Sequence, residues 1–320
     1  MRREAVLLGL LVAVCLVMGR LSPVFLRVGN LLDMTRHMVE VGLVALAMTL
    51  VILTAGIDLS PGSTMGLASV VLGLAWRGGL PIAAAAGAAL LAAAAGGALN
   101  GALVAWARVP ALIVTVATWA IYRGLALGFG RGGDVSGYPE SFSMLGQSYV
   151  GGWVPAQTLL FAALAGAAAI FLDRTAAGRS LRAVGANEAG ARLSGVPTAR
   201  YHFLVYTLTG LAAGLAALIY AARVSTAKAD AGTGLELDAI TAVVLGGTSI
   251  AGGEGGIAGT VLGLLLITSL TDGLTLARVP SDRQAVLLGL LLIATVWLDR
   301  RLRRPSLSPM KARTPEHLDT

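Results

Sequence analysis

The stretch LTAGIDLSPGSTMG (residues 53–66) places an aspartate between two apolar runs, VGLVALAMTLVI (41–52) and LASVVLGLAW (67–76). A loop in water holds such a carboxylate at little cost, whereas a lipid-facing helix does not. The solvent therefore decides how Asp58 is read, and composition decides the solvent. The 320-residue chain is 56% hydrophobic and only 13% charged, with a mean hydropathy of +0.79. Soluble domains carry about 25% charged residues. Apolar runs long enough to cross a bilayer recur from end to end, and none alternates as a pore-forming barrel strand would. The expected fold is an all-α, polytopic transmembrane helical bundle.

The 42 glycines far exceed the usual share of about 7%. Small residues let helix backbones approach closely in lipid, and GxxxG spacings recur at Gly97/Gly101, Gly210/Gly214 and Gly255/Gly259/Gly263. Cys15 is the only cysteine, so no internal disulfide forms. Arg2-Arg3 and the apolar run to Met18 lack a small-x-small cleavage site, and a retained first span is expected. The net charge of +7 sits in short connections and the tail, without aromatic interleaving, which argues against nucleic-acid binding.

Ten apolar segments are expected at about 5–20, 38–57, 61–76, 81–107, 111–130, 155–172, 201–222, 236–252, 255–276 and 284–299. Several are short or abut across Gly or Pro, so eight to ten spans with broken or re-entrant helices are expected. An even count puts both termini on one side. With that side cytoplasmic, it holds Arg2, Arg3, Arg108, the arginines of 173–200 and the basic tail, as the positive-inside rule requires. The chain reads as a single transmembrane domain, 1–320, with halves at 1–130 and 155–300, a cytoplasmic loop at 173–200 and a basic cytoplasmic tail at 301–320. Five spans on each side of the polar segment 131–154 would invert one half relative to the other. The tetrapeptide ARVP occurs in both halves, at 107–110 and 277–280.

In GIDLSPGS (56–63), Ser60 suits an N-cap and Pro61 the first helical position, so one helix should end near Gly56 and another begin at Pro61. Asp58 at this break has two readings. It caps the turn, or, as an ionisable group at membrane depth, it lines the pathway or a gate. A second break, VVLGGTSIAGGEGGIAGT (243–260), is glycine-rich, and irregular backbone at depth must pack on protein or line a cavity. It is not a phosphate-binding loop, because no Gly-Lys-Ser/Thr ending follows and both lysines, Lys228 and Lys311, lie elsewhere.

The polar loop DRTAAGRSLRAVGANEAGARLSGVPTAR (173–200) should hold a short helix capped by Asn187, with Glu188 in its first turn and Gly195 and Pro197 ending it. Ala189 and Leu193 share a face, with Arg192 beside them. Such a stub is either a solvated connector or a docking element for a partner's groove.

Together these stretches resemble the sugar-type (ribose, xylose and arabinose-like) permease family of bacterial ABC importers. GIDLSPGS resembles its GGIDLSVGS signature, GRSLRAVGANEAGARLSGV (178–196) its coupling loop with the pattern GxNxxAARLSG, and LGGTSIAGGEGGIAGTVLG (245–263) its LGGTSxxGGxGxxxGT segment. Weaker likenesses lie at 99–126 and 136–147. The chain departs from the pattern at Ala55, Pro61 and Gly190, without losing a charged or hydrogen-bonding group. The resemblance implies the membrane subunit of an importer in the bacterial cytoplasmic (inner) membrane. It would pair with a second permease copy or paralogue, two cytoplasmic ATP-binding subunits and an extracytoplasmic sugar-binding protein. ATP and Mg would sit on the partners, and this chain would bind no cofactor. Gly185, Asn187, Glu188, Ala189, Arg192, Leu193, Ser194 and Gly195 would form the coupling element.

Polar groups within spans are the pathway candidates: Asp58, Ser60, Ser63, Asn100, Thr115, Thr118, Tyr122, Thr248 and Ser249. Hydroxyls and amides suit a polyol, although Ser and Thr also bond their own helix backbone. External Arg131, Asp134 and Glu140 would meet the binding protein. An ion-coupled secondary transporter is the alternative, and only Asp58, Asp272 and Glu254 are counted as carboxylates that could serve it. An intramembrane enzyme finds no support, since His37, His202, His317 and Cys15 show no catalytic or metal-ligating spacing.

Overall fold

The computed structural model describes residues 2–302. The tail expected at 301–320, with His317, lies almost wholly outside them. Helices α1 (Arg2–Leu21), α2 (Val28–Leu53), α3 (Pro61–Arg77), α4 (Ile82–Ala105) and α5 (Ala111–Phe129) precede a polar segment. That segment holds β1 (Val135–Ser136), α6 (Glu140–Gln147), β2 (Tyr149–Val150) and β3 (Val154–Pro155). Then follow α7 (Ala156–Arg174), α8 (Ala176–Ala186), α9 (Glu188–Leu193), α10 (Thr198–Val224), β4 (Thr226–Ala227), α11 (Leu235–Leu245), α12 (Ile257–Leu276) and α13 (Ser281–Leu302). The strands form two antiparallel pairs, β1 with β4 and β2 with β3.

Among the described residues, α1, α2, α4, α5, α7, α10 and α12 are the seven helices long and apolar enough to cross a membrane. The eighth expected segment, 236–252, is helical only to Leu245. Eleven residues at 1.5 Å each reach about 16 Å, half of a hydrocarbon core. The helix stops there because Gly247 turns at φ 91° and Gly246 lies so close to the Gly259 carbonyl that no side chain fits between them. The second segment, expected from 38, begins ten residues earlier at Val28, with its polar first turns (Asp33, Arg36, His37) at one end of the bundle.

The core lies along α2, α10, α3, α4 and α11. Where α4 crosses α10, Gly97 and Gly210 meet backbone to backbone: a β-carbon on Gly97 would lie 3.0 Å from the Gly210 nitrogen. Such contacts replace large side chains as the packing principle in lipid. Helix α5 and residues 281–294 of α13 are peripheral, with most side chains exposed.

Among the described residues, four that are not glycine have a left-handed backbone: Ala55, Arg108, Ser225 and Arg278. They fall into two pairs, Ala55 with Ser225 and Arg108 with Arg278, each 170 residues apart. Val28 and Thr198, which open α2 and α10, have the same spacing. Both ARVP copies close one helix and open the next, α4 to α5 and α12 to α13.

Candidate functional site

The break expected after α2 is present. Helix α2 ends at Leu53, residues 55–60 form no regular structure, and Pro61 is the first residue of α3. Ser60 occupies the N-cap position, but its side chain does not cap the helix. Its hydroxyl instead donates to Asp58 Oδ1 at 2.7 Å and accepts from Asn100 Nδ2 at 2.8 Å. Asp58 Oδ1 also accepts the Ser60 amide at 2.9 Å, so the aspartate, not the serine, closes the turn. Asp58 is 1% exposed, and Ser60 and Asn100 are buried with it. Thr115 and Tyr206 both donate to the Ile57 carbonyl, at 3.3 and 3.4 Å. The structure thus gathers Asp58 and Ser60 of the turn itself with Asn100 of α4 and Thr115 of α5.

The other pathway candidates lie differently. Ser63 donates to the Ser60 carbonyl (2.8 Å), Thr118 to its own helix at Val114 (3.0 Å), and Tyr122 to the Gly96 carbonyl (2.9 Å). Thr248 and Ser249 belong to the second glycine break. There Ser249 closes a turn with the Glu254 carbonyl, and Gly253 donates to the Leu53 carbonyl at 2.9 Å. The two breaks therefore meet at the end of α2, and Gly252 touches Ala55. Asp134 pairs with Lys228 at 3.7 Å, tying the polar segment to the run before α11.

That run, 225–234, descends along α3, with β4 held by β1 at its start and Gly232 against Gly62 and Met65 at its end. Non-helical backbone at depth needs internal partners. Arg123 of α5 supplies them, donating to the carbonyls of Ala229 (2.7 Å), Ala231 (3.1 Å) and Gly62 (3.0 Å). The Glu236 carboxylate lies against Gly62 at the start of α3, and its Oε2 has no hydrogen-bond partner.

The restriction of intramembrane carboxylates to Asp58, Asp272 and Glu254 is corrected here. Glu40 and Glu236 are buried as well, and Asp238 shares a cavity of about 350 Å³ with Asp272, His37, Thr268 and Thr271. Arg223 Nε donates to Glu40 Oε1 at 2.9 Å, joining α2 to α10. Glu40, Glu236, Arg123 and Arg223 were all readable as charges within or bordering apolar runs; their partners were not.

The short helix expected in the polar loop is α9. Asn187 Oδ1 accepts the Gly190 amide at 2.9 Å, and Gly195, at φ 83°, ends the element. Glu188 joins α9 to α10: Arg192 donates to its Oε1 at 2.9 Å, Thr198 donates to the same oxygen at 3.2 Å, and His202 Nε2 lies 3.6 Å from Oε2. Partial burial pushes the Glu188 carboxyl up, but His202, Thr198 and Arg192 together outweigh it and hold it below the ordinary value. Ala189, Arg192 and Ser194 are exposed, and Leu193 is 91% exposed. Gly185 is not on this surface; it packs against the Leu53 carbonyl and the Gly253 amide, fastening α8 to both breaks.

The model of the family described as a branched-chain amino acid transport system permease component matches residues 30–296. The chain belongs to this permease family. The ribose import permease protein RbsC of Bacillus subtilis is 40% identical over 94% of each chain, and that of Escherichia coli K12 is 39% identical over 92% of each. The autoinducer 2 import system permease protein LsrD of Photorhabdus laumondii is 36% identical over 92% of this permease and 90% of its own length. No solved structure matches. These relatives agree with the resemblance carried by the three sequence motifs.

Proposed function

We propose that this permease is the membrane-spanning subunit of an ATP-driven importer for a pentose or sugar-like solute of similar size. The observation that carries the reading is α9. It is a six-residue helix with its cap formed, its apolar residue Leu193 unburied, and its first residue bonded to the foot of a core helix. Such a stub is too short to persist alone and is shaped to enter a groove on a partner. The relatives, named for ribose and autoinducer 2 import, supply the solute class.

On this reading two ATP-binding subunits carry ATP and Mg and push on α9, a second permease copy or paralogue completes the membrane unit, and an extracytoplasmic binding protein delivers solute. Asn187, Glu188, Ala189, Arg192, Leu193, Ser194 and Gly195 form the coupling surface, and Gly185 holds its base. The end carrying α9 is cytoplasmic, as are both termini; Glu4 of α1 lines a cavity at that end with Asp173 and Arg182. Ten crossings result when α3, α13 and the run 225–245 join the seven long helices. The paired left-handed residues support two inverted halves, α1–α5 and α7–α13, with α8 and α9 inserted in the second. Asp58, Ser60 and Asn100 bond one another and set the turn between α2 and α3, while the cavity with Asp238, Asp272 and the threonines offers acceptors for hydroxyls at the outer end.

Co-purification of the tagged chain from its native membrane tests the assignment. An ATPase and a secreted binding protein in the complex are expected, and the ligand on that protein names the solute. The orphaned Glu236 oxygen favours a second reading, an ion-coupled carrier. Uptake that survives removal of the ATPase but stops with an uncoupler would select it.

A further inference from the structure

The end of the bundle that carries α9 also holds a cavity of about 670 Å³, walled by the turn after α2, the corner between α4 and α5, and the start of α10. Its charged lining is one-sided. Arg108, Arg192 and Arg200 face a single carboxylate, Glu188, with the imidazole of His202 beside it. That carboxylate is already engaged by Arg192, Thr198 and His202. Among the described residues, Arg108 and Arg200 have no acidic partner, and His202 Nδ1 is buried without a hydrogen bond.

The backbone adds to the same field. Helices α5 and α10, of 19 and 27 residues, both begin at this wall, behind Pro110 and Pro197, and neither has a side-chain cap. Uncapped first-turn amides and the positive end of each helix dipole attract anions. Guanidinium groups bind phosphate oxygens in a bidentate fork, which a neutral sugar does not need. Arginines that served only to orient the chain would need no cavity and no converging helix ends. The volume lies in the range of small-molecule sites and exceeds what a bare phosphate fills.

We propose that this cavity binds a phosphate-bearing anion, held by Arg108 and Arg200 over the starts of α5 and α10. The same chemistry is carried by a phosphorylated sugar in solution and by the headgroup of an anionic phospholipid. An anion there would lie beside Glu188 and Arg192, and so beside the contact that joins α9 to α10.

The test uses the full chain in nanodiscs of phosphatidylcholine alone or mixed with phosphatidylglycerol, with its unfolding temperature followed. Inorganic phosphate and ribose 5-phosphate are titrated against chloride at matched ionic strength. A saturable rise with a soluble phosphate in pure phosphatidylcholine assigns a metabolite; a rise produced only by phosphatidylglycerol assigns a lipid. In either case Arg108→Gln/Arg200→Gln should weaken binding on the order of tenfold or more per guanidinium removed. Arg108→Lys/Arg200→Lys keeps the charge and loses the fork; it should bind with intermediate strength, and it replaces the glutamine pair if that pair does not fold. No rise with any probe, or equal rises in the wild type and both pairs, overturns the proposal.

Discussion

His202 of α10 stands with its Nε2 3.6 Å from Oε2 of Glu188, so the foot of a 27-residue core helix touches the first residue of α9. The other Glu188 oxygen takes Arg192 and Thr198. Displacing α9 therefore loads α10 directly. Glu188→Lys or Arg192→Glu should lower ATP-driven uptake several-fold while membrane insertion, read by protease accessibility, is unchanged. Full uptake in both variants would remove the coupling role.

The same contact predicts a pH dependence. The Glu188 carboxyl is held below its ordinary value of 4.5, so its bonds to α10 add stability above that value and lose it as pH falls through the lowered one. Amide protection across 188–195, taken relative to the intrinsic exchange rate at each pH, should fall on acidification below 4.5 in the wild type. In Glu188→Gln that protection should already be low and change little over the window.

Leu193 supports nothing within the chain, at 91% exposed. Leu193→Ser should leave the unfolding free energy within about 0.5 kcal/mol of wild type. Association with the ATP-binding subunits should nevertheless fall, as measured by the fraction retained on a tagged permease. Undiminished association would show that the groove takes another face of α9.

Gly97 and Gly87 lie on the same helix with opposite surroundings. A β-carbon at Gly97 would strike α10, whereas Gly87 has nothing within 4 Å. Gly97→Ala should destabilise by about 1–3 kcal/mol. Gly87→Ala should be neutral or stabilise by up to about 1 kcal/mol. Thermal unfolding in one detergent compares the two.

Buried Glu40 pairs with partly buried Arg223 at 2.9 Å. Removing the guanidinium leaves the buried Glu40 carboxylate without its partner, and Arg223→Met should cost about 2–4 kcal/mol. Glu40→Gln/Arg223→Met should recover much of that loss. A double variant no more stable than the single one would assign the cost to lost arginine packing.

What the sequence made legible was local. Pro61 after Ser60 marked where α3 begins, Asn187 and Gly195 bounded α9, and the ARVP copies marked corresponding corners. The Ser60 hydroxyl was read as a helix cap because a capping residue is judged by its neighbours in sequence. Its acceptor, Asp58, is local, but its donor, Asn100, arrives from 40 residues away on α4. Arg123 could be seen as a charge in an apolar run, yet its carbonyl partners exist only once 225–234 lies along α3. The expected segment 236–252 ran into the glycine-rich break 243–260; what fixes the end of α11 at Leu245 is the close crossing of Gly246 with Gly259 of α12, which the sequence does not show.

The meeting of Gly97 and Gly210 leaves no side-chain layer that could slide or shear between α4 and α10. Close backbone contact ties the two helices together, and the non-helical segments 54–60, 225–234 and 246–256 are where the chain has room to bend. A 27-residue helix spans about 40 Å, so a tilt of ten degrees about its foot carries its far end about 7 Å. That far end holds Arg223 and the tether from Gln147 of α6, which donates to the Ala222 carbonyl. A small displacement at the end that carries α9 thus becomes a larger one at the end that holds Arg223.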